Sequence, residues 1–311
     1  MTFSGKIKEE ISKIESDKIE LLSELSGIFC TNADIKLYSI RVQTENLNAA
    51  NRIFKIVKDI YNVTSNITVK KNYNFKKNEV YIIEIKSHVP EIIKDLGLIG
   101  ETGFVINTVP FEEIVADDNL RSAFIRGCFL LTGSVNDPKT SRYHLELIVN
   151  TSEFAEFLKE QINTYNLNSK VLRRKKGYMV YIKESEKISD FLKMIKAFNG
   201  VMYYEDIRTY REKINMNNRI NNCEQANVEK SLASSNKQIK DIEFIKAKDA
   251  YDLLDDKIKT VAEYRVKYPD SSLIELSEII SVETGNKVTK SCVNHRLRKI
   301  KDLADKLKEN K

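Results

Sequence analysis

The sequence predicts an α+β protein with two domains: an internally duplicated domain whose halves each have the order α-β-β-α-β-β-α, and an all-α domain at the C-terminus. Two apolar segments with a central glycine recur 100 positions apart, at Gly27 and Gly127. A similar succession of strand and helix patterns follows each of them. Near the C-terminus, apolar residues recur at helical spacing between helix-capping residues. The chain of 311 residues is long enough for two domains.

The two glycine-containing segments predict a pair of crossing helices. They run from Leu25 to Ala33 and from Leu120 to Val135. A glycine inside a helix costs about 1 kcal/mol relative to alanine, so a helix that keeps one requires a close backbone approach there. We therefore expect the helices to cross at Gly27 and Gly127 and to form the centre of the duplicated domain.

The residues after each glycine helix predict matching sets of strands and helices, because alternation is typical of strands and 3.6-residue spacing of helices. The first half has a strand at 36–43, a helix at 47–61, strands at 66–73 and 80–86 around a polar turn at 74–78, and a helix at 90–96. The second half has a strand at 143–149, a helix at 152–165, a hairpin of 170–174 and 178–183, and a helix at 188–198. This recurrence indicates an internal repeat within a domain that spans 1–208, with its copies at 20–100 and 120–200.

The residues around the second glycine resemble a known family. Phe124-Ile125-Arg126-Gly127-Cys128-Phe129, followed by Gly133-Ser134-Val135-Asn136-Asp137-Pro138, resembles the WhiA family of bacterial DNA-binding regulators. The paired helices and the duplicated element order resemble the LAGLIDADG homing-endonuclease fold. In catalytic members of that superfamily an acid at the end of each paired helix holds a divalent metal, and the matching positions here are Asn32 and Thr132. The resemblance therefore implies a non-catalytic domain without metal or cofactor, in which Gly27 and Gly127 have a structural role.

The C-terminal segment predicts a helix-turn-helix. A helical pattern at 253–268 ends at Pro269, and Ser272 with Glu275 forms a capping box that opens a helix at 273–280. A turn around Gly285 follows, and Thr289 is a suitable N-cap for a long helix from Lys290. This order predicts a helix-turn-helix over Ile274 to Lys308, in a domain at 250–311. An asparagine-rich helical connector at 209–249 precedes it, and its run from Asn218 to Asn227 also resembles the WhiA pattern.

The predicted recognition helix has two distinct faces. The core stripe consists of Val293, Leu297, Ile300, Ala304 and Leu307. The opposite face has residue types that read bases, since asparagine pairs with adenine and arginine with guanine. The predicted DNA-binding residues are Thr289, Lys290, Ser291, Asn294, His295, Arg298, Lys299 and Lys301, with the lysines at phosphates. The alternative is a solvent-exposed polar face on a protein-interaction module.

The charge distribution favours a polyanionic partner. From Lys287 to Lys311 there are nine basic and three acidic residues. The resulting charge of this segment, 9 − 3 = +6, equals the net charge of the whole chain, and such a local excess is typical of proteins that bind polyanions. Candidate accessory DNA contacts in the first domain are Arg142, Arg173, Arg174, Lys175 and Lys176, together with Arg41, Lys70 and Lys71. Such residues on strands and hairpins would contact phosphates. The alternative is that the first domain is only a scaffold.

Composition argues against several other classes of protein. The 4 cysteines lie singly without CxxC spacing and the 3 histidines are dispersed, so no zinc site is expected. The N-terminus is too polar for a signal peptide, and no apolar run approaches the ~18 residues of a membrane helix. Neither a phosphate-binding glycine loop nor a nucleophile–base pair is evident, so no small-molecule ligand is indicated. We expect a cytoplasmic, nucleoid-associated protein.

Three functional hypotheses remain. The first is a non-catalytic, sequence-specific DNA-binding regulator, for which the resemblance to WhiA implies roles in cell division, chromosome segregation and, in some lineages, sporulation. Because a lone helix-turn-helix monomer usually binds double-stranded DNA weakly, this hypothesis requires contacts from the first domain or a protein co-regulator. The second is a metal-dependent endonuclease in which Asp34 or another acid substitutes at the helix ends. The third is an adaptor whose basic helix binds an acidic protein.

Overall fold

The first part of the chain contains the same order of helices and strands twice. The structure, a computed structural model, describes residues 1–36, 38–72, 78–99, 106–140 and 142–309. It divides into two units, Met1–Arg211 and Glu212–Lys311. After an N-terminal helix α1 (Phe3–Ile11), the first half consists of α2 (Lys18–Asn32), β1 (Ala33–Lys36), β2 (Ser39–Thr44), α3 (Leu47–Tyr61), β3 (Asn66–Asn72), β4 (Asn78–Ile85) and α4 (Val89–Asp95).

The second half repeats this order. After a single 3₁₀ turn at Glu112–Val115, it consists of α5 (Asp118–Thr132), β5 (Gly133–Val135), β6 (Leu145–Val149), α6 (Ser152–Asn163), β7 (Lys170–Arg173), β8 (Tyr178–Ile182) and α7 (Ser185–Met194). Each half forms an antiparallel four-stranded sheet, with the strand orders β1-β2-β4-β3 and β5-β6-β8-β7. The duplicated α-β-β-α-β-β-α fold is therefore confirmed.

A 50-residue helix and three shorter helices complete the chain. They are α8 (Phe198–Ala247), α9 (Asp256–Lys267), α10 (Leu273–Thr284) and α11 (Lys290–Glu309), with a 3₁₀ turn at Tyr251–Leu253 before α9. The core of the second unit consists of apolar residues from the C-terminal end of α8 and from α9, α10 and α11, including Ile245, Val261, Leu276 and Leu297. The predicted all-α C-terminal region is therefore present.

Helices α2 and α5 cross at the two glycines. A methyl group added at Gly27 would lie 2.1 Å from the carbonyl oxygen of Phe124, and one added at Gly127 would lie 2.0 Å from the carbonyl oxygen of Glu24. Each glycine thus faces the carbonyl three residues before the other glycine, which gives the crossing an approximate twofold symmetry. Only a residue without a side chain permits this approach, as the sequence predicted.

A buried ionic cluster lies beside this crossing. The Glu24 carboxylate accepts two hydrogen bonds from Arg52, at 2.8 and 3.0 Å, and two from Arg126, at 3.0 and 2.9 Å. Arg126 and Glu24 are fully buried, and Arg52 is 5% exposed. Arg126 also donates to the hydroxyl of Ser16 at 3.2 Å. The cluster joins α2, α3 and α5, because a buried charge must find a partner of opposite sign.

Several predicted boundaries were wrong. The run at 36–43 is not a single strand: β1 ends at Lys36 and β2 begins at Ser39. No range was assigned to the strand β5 from the sequence, and β6 begins at Leu145 rather than at position 143. Most of the predicted turn at 74–78 lies outside the described residues. The helix predicted at 253–268 is shorter, since α9 begins at Asp256, and α10 continues to Thr284, so the turn before α11 is shorter than expected.

The predicted helix at 188–198 is two helices. α7 ends at Met194, Lys196 has a left-handed φ of 64°, and α8 begins at Phe198. The start of α8 is stabilised by the carboxylate of Glu10, which accepts from the backbone N–H groups of Asn199 at 2.7 Å and Gly200 at 3.0 Å. This cap comes from α1, so local periodicity does not reveal it.

Candidate nucleic-acid interface

Capping groups define the start of α10 and the turn between α10 and α11. The Ser272 hydroxyl accepts from the N–H of Glu275 at 3.2 Å, and the Glu275 carboxylate accepts from the N–H of Ser272 at 2.7 Å. This bond to the backbone N–H lowers the pKa of Glu275. α10 ends at Gly285, whose φ of 67° is left-handed, and the Thr289 hydroxyl accepts from the N–H of Cys292 at 3.3 Å. The predicted capping box and the predicted N-cap are therefore both present.

A buried arginine stabilises the preceding turn, between α9 and α10. The Arg265 side chain is 2% exposed and donates to the carbonyl oxygen of Ser271 at 2.6 Å and to the hydroxyl of Ser235 at 3.2 Å. Ser235 in turn donates to the carbonyl oxygen of Pro269. Burial lowers the pKa of Arg265. This arginine thus joins the turn to α8 through hydrogen bonds to Ser271 and Ser235, and sequence analysis missed it.

The residues that were predicted to bind DNA lie on the solvent-exposed side of α11. Val293, Leu297, Ile300 and Ala304 are buried in the core of the second unit, with Leu307 packed against it. The exposed residues are Thr289, Lys290, Ser291, Asn294, His295, Arg298, Lys299 and Lys301. Ser291, Asn294, His295 and Arg298 follow the spacing i, i+3, i+4 and i+7, so they share one face of the helix. The structure thus brings together the residues that were predicted to contact bases.

The side chains on this face are available for a ligand. Among the described residues, Lys290, Asn294, His295, Arg298, Lys299 and Lys301 have neither a side-chain hydrogen bond nor an ion pair. Near the C-terminal end of α11 the positive charges are accompanied by acidic residues. Asp302 and Asp305 occur there, and Lys308 pairs with Asp241 at 2.8 Å, a bond that raises the pKa of Lys308. The unpaired positive charge is therefore concentrated in the N-terminal half of the helix.

The predicted accessory residues lie on the surface of the first unit, and some of them are in ion pairs with acidic side chains. Arg142, Arg173, Lys175 and Lys176 are exposed, the lysines at the hairpin between β7 and β8. Arg174 pairs with Glu146 at 3.6 Å. Arg41 pairs with Glu84 at 3.2 Å, while Lys70 and Lys71 are exposed on β3. These sheets therefore present a mixture of charges, and contact between them and DNA stays a prediction.

The ends of the paired helices have no carboxylate. Asn32 accepts from the side-chain amide of Asn150 at 3.3 Å, and the Thr132 hydroxyl donates to a carbonyl of its own helix at 3.3 Å. Asp34 pairs with Lys36 at 3.7 Å, and Asp137 accepts from the hydroxyl of Tyr203 at 3.3 Å. Within the described parts of the chain, no group of three or more His, Cys, Asp or Glu residues could hold a metal ion.

A polar cavity of about 590 Å³ lies beside the C-terminal end of α5. Its lining includes Lys8, Gln43 and Ser134. The ammonium group of Lys8 is half-buried and donates to the carbonyl oxygen of Leu131 at 3.2 Å. Loss of hydration lowers the pKa of Lys8 to about 8. No sequence motif predicted this site, because α1 and α5 are distant along the chain.

The fold and the exposed helix face define a class of protein: a duplicated LAGLIDADG-like α/β domain with a C-terminal helix-turn-helix. Family models agree with this description along the chain. Residues 19–99 match the WhiA N-terminal LAGLIDADG-like domain, 121–213 the WhiA LAGLIDADG-like domain, and 217–304 the WhiA C-terminal HTH domain. The chain belongs to the WhiA family.

Relatives and a solved structure cover nearly the whole chain. It is 39% identical over 312 residues to the probable cell division protein WhiA of Staphylococcus aureus, covering 99% of this chain and 98% of the relative. Identity to the protein of the same name from Staphylococcus epidermidis is 40% with the same coverage. The crystal structure of full-length WhiA from Thermatoga maritima is similar, with a TM-score of 0.60 and 25% identity over 98% of this chain and 99% of that one.

The helices were also compared with the length and apolarity that a membrane span requires. In the part of the chain that the structure describes, no helix is long and apolar enough to cross a membrane.

Proposed function

We propose that this chain is a non-catalytic, sequence-specific DNA-binding regulator that reads the major groove of double-stranded DNA with α11. One observation carries the proposal. The N-terminal half of α11 presents an exposed face on which Asn294 and Arg298 lie one turn apart, without side-chain partners in the part of the chain that the structure describes, while the opposite face is buried. An α-helix fits the major groove, and these two side chains are suited to adenine and guanine.

The surrounding charge supports binding to DNA. Lys290, Lys299 and Lys301 flank the reading face and would contact phosphates. Such contacts release counterions, so affinity should fall steeply as salt rises. An adaptor that binds an acidic protein would instead show little salt-dependent affinity for DNA. The family relatives named as probable cell division proteins support a role in cell division. We propose further roles in chromosome segregation and sporulation-related transcription on the resemblance to the family alone.

The proposal excludes a nuclease role for the first unit. Its helix ends present an amide and a hydroxyl, at Asn32 and Thr132, and hard oxygen ligands of Mg²⁺ are normally carboxylates. We propose that this unit adds contacts to DNA or to a protein co-regulator, through residues such as Arg142 and Lys175. The proposed domain bounds are 1–208 for the LAGLIDADG-like domain, 209–249 for the connector and 250–311 for the DNA-binding domain.

The experiment begins by selecting preferred duplexes from a random library with the full-length protein. Affinity for the selected site is then titrated at several salt concentrations in the presence of Mg²⁺. Asn294→Ala/Arg298→Ala should weaken binding at least tenfold and relax the preference at the contacted bases. Lys306→Ala, roughly two turns further along α11, is the matched control and should bind nearly as wild type. Equal binding by all variants, or Mg²⁺-dependent cleavage, would overturn the proposal.

A further inference from the structure

The middle of α8 is exposed to solvent around the whole helix. Every residue from Glu212 to Lys230 is exposed. At 1.5 Å per residue this segment is roughly 28 Å long. On its N-terminal side α8 packs in the first unit through Tyr204, and on its C-terminal side in the second unit through Ile242 and Ile245. The exposed segment therefore belongs to neither core, and its composition needs a different explanation.

Amide side chains form a stripe along this segment. Asn215, Asn218, Asn222 and Gln225 follow the spacing i, i+3, i+7 and i+10, and at 100° per residue they lie within an arc of about 80°. Within the described residues, the amides of Asn215, Asn218 and Asn222 have no side-chain hydrogen-bond partner. Gln225 donates to the carboxylate of Glu229 at 3.0 Å, so the free donors and acceptors of the stripe belong to its three asparagines. Asparagine and glutamine amides can form bidentate hydrogen bonds with adenine in the major groove.

The charges around the stripe are compatible with a polyanion. Arg219 lies beside it and is exposed. Three acids lie between positions 212 and 230: helical geometry places Glu212 and Glu224 roughly 100° or more from the centre of the stripe, and Glu229 in line with it, about one turn beyond Gln225. From Asn215 to Asn222 the amide face therefore has a positive charge beside it and no carboxylate, while Glu229 pairs with Gln225 at its C-terminal end. A helix that is exposed all round can enter a groove without displacing protein contacts.

The asparagines of this exposed segment have a low helix propensity. Asparagine is among the poorer helix formers, and six asparagines occur between positions 215 and 227. Lysine, glutamate or alanine would stabilise a solvent-exposed helix better. Because no packing compensates this cost, the amides point to a ligand that forms hydrogen bonds with them.

A second copy of the chain is a weaker candidate for the occupant. Met216, Ile220 and Cys223 form an apolar stripe on the other side of α8, spaced i, i+4 and i+7. A coiled-coil seam requires apolar positions over three to four heptads, whereas this stripe spans about one. Pairing of two such helices would also leave the amide stripe unexplained.

We infer that the amide stripe of α8, formed by Asn215, Asn218, Asn222 and Gln225, is a second base-contacting element that binds double-stranded DNA at a position distinct from the one read by α11. The inference rests on the proposed function, since α11 provides the first contact. It assigns to the connector a role in sequence recognition rather than in spacing alone.

The test uses the full-length protein and the site-selection and affinity assays described above. Asn218→Ala/Asn222→Ala removes two amides one turn apart on the stripe. Asn217→Ala/Asn221→Ala is the matched control, because it removes the same two groups roughly 100° around the helix. Both variants gain helix propensity, so a loss of binding would not arise from unfolding of α8.

We expect the stripe variant to bind the selected site at least tenfold more weakly and to lose its preference at base positions that Asn294→Ala/Arg298→Ala leaves unchanged. The control should change affinity less than threefold. If the stripe variant binds as wild type while the α11 variant does not, the inference fails and the proposed function stands. If neither variant loses affinity, both fail. Equal losses in the stripe variant and its control would also overturn the inference.

Discussion

Replacing Gly127 by alanine should separate the two central helices. The added methyl group would lie 2.0 Å from the carbonyl oxygen of Glu24, far inside van der Waals contact, and no rotation of a side chain can relieve a clash with backbone. The helices would have to move apart by more than about 1 Å, which weakens the packing of the core between them.

The expected cost follows from two opposing effects. Overpacking a core typically costs about 1–3 kcal/mol and sometimes more, and a backbone clash belongs at the upper end. Alanine regains about 1 kcal/mol of helix propensity. We therefore expect the free energy of unfolding of the first unit to fall by about 2–4 kcal/mol.

The measurement is urea unfolding followed by hydrogen-exchange mass spectrometry on peptides from α2 and α5, which separates the first unit from the second. Gly5→Ala is the matched control: Gly5 is also helical, but its added methyl group meets only the flexible side chain of Met1, at 2.9 Å, and the hydroxyl of Thr2, at 3.2 Å. That variant should be as stable as wild type or slightly more so. Equal stabilities of Gly127→Ala and Gly5→Ala would refute the crossing geometry.

Two further perturbations test buried charges of the first unit. Glu24→Gln leaves two buried arginines without their carboxylate and should destabilise the unit by about 3–5 kcal/mol in the same unfolding assay; an unchanged stability would contradict the cluster. For Lys8, the folded pKa of about 8 lies below the unfolded value of 10.5, so the unfolded chain binds more protons between these values and stability should rise with pH across that window. Lys8→Met should remove this contribution in a pH series of urea unfolding, and an identical pH dependence in both proteins would argue against it.

Elements with a strong local pattern were predictable from the sequence. The helix at 47–61 was predicted at the bounds that the structure shows, because apolar residues recur at helical spacing throughout it. The exposed and buried faces of α11 follow from the same spacing around Val293 and Leu297. The capping box at Ser272 is likewise a local signal, and the hydrogen bonds confirm it.

Features that depend on distant partners were not predictable. The break between α7 and α8 depends on Glu10, which is 190 positions from Gly200. The alternation of apolar and polar residues at 36–43 predicted one strand, although β1 ends and β2 begins within this run, because two paired strands can show the same alternation as a single strand. Arg126 was visible as the one charged residue in an apolar run, but nothing local identified its partner, Glu24, 102 positions away. Neither local periodicity nor a capping residue indicated the role of Arg265.

The symmetry of the glycine crossing ends at its ionic cluster. The backbone contacts at Gly27 and Gly127 are reciprocal, but Glu24 has its counterpart in Phe124, at the same offset of 100 positions. Two copies of the second half would bring together two buried Arg126 side chains and no carboxylate from this position. Arg126 of the second half therefore depends on Glu24 of the first half for its counter-ion. The two halves are therefore not interchangeable, because one half supplies the acid that the other half requires.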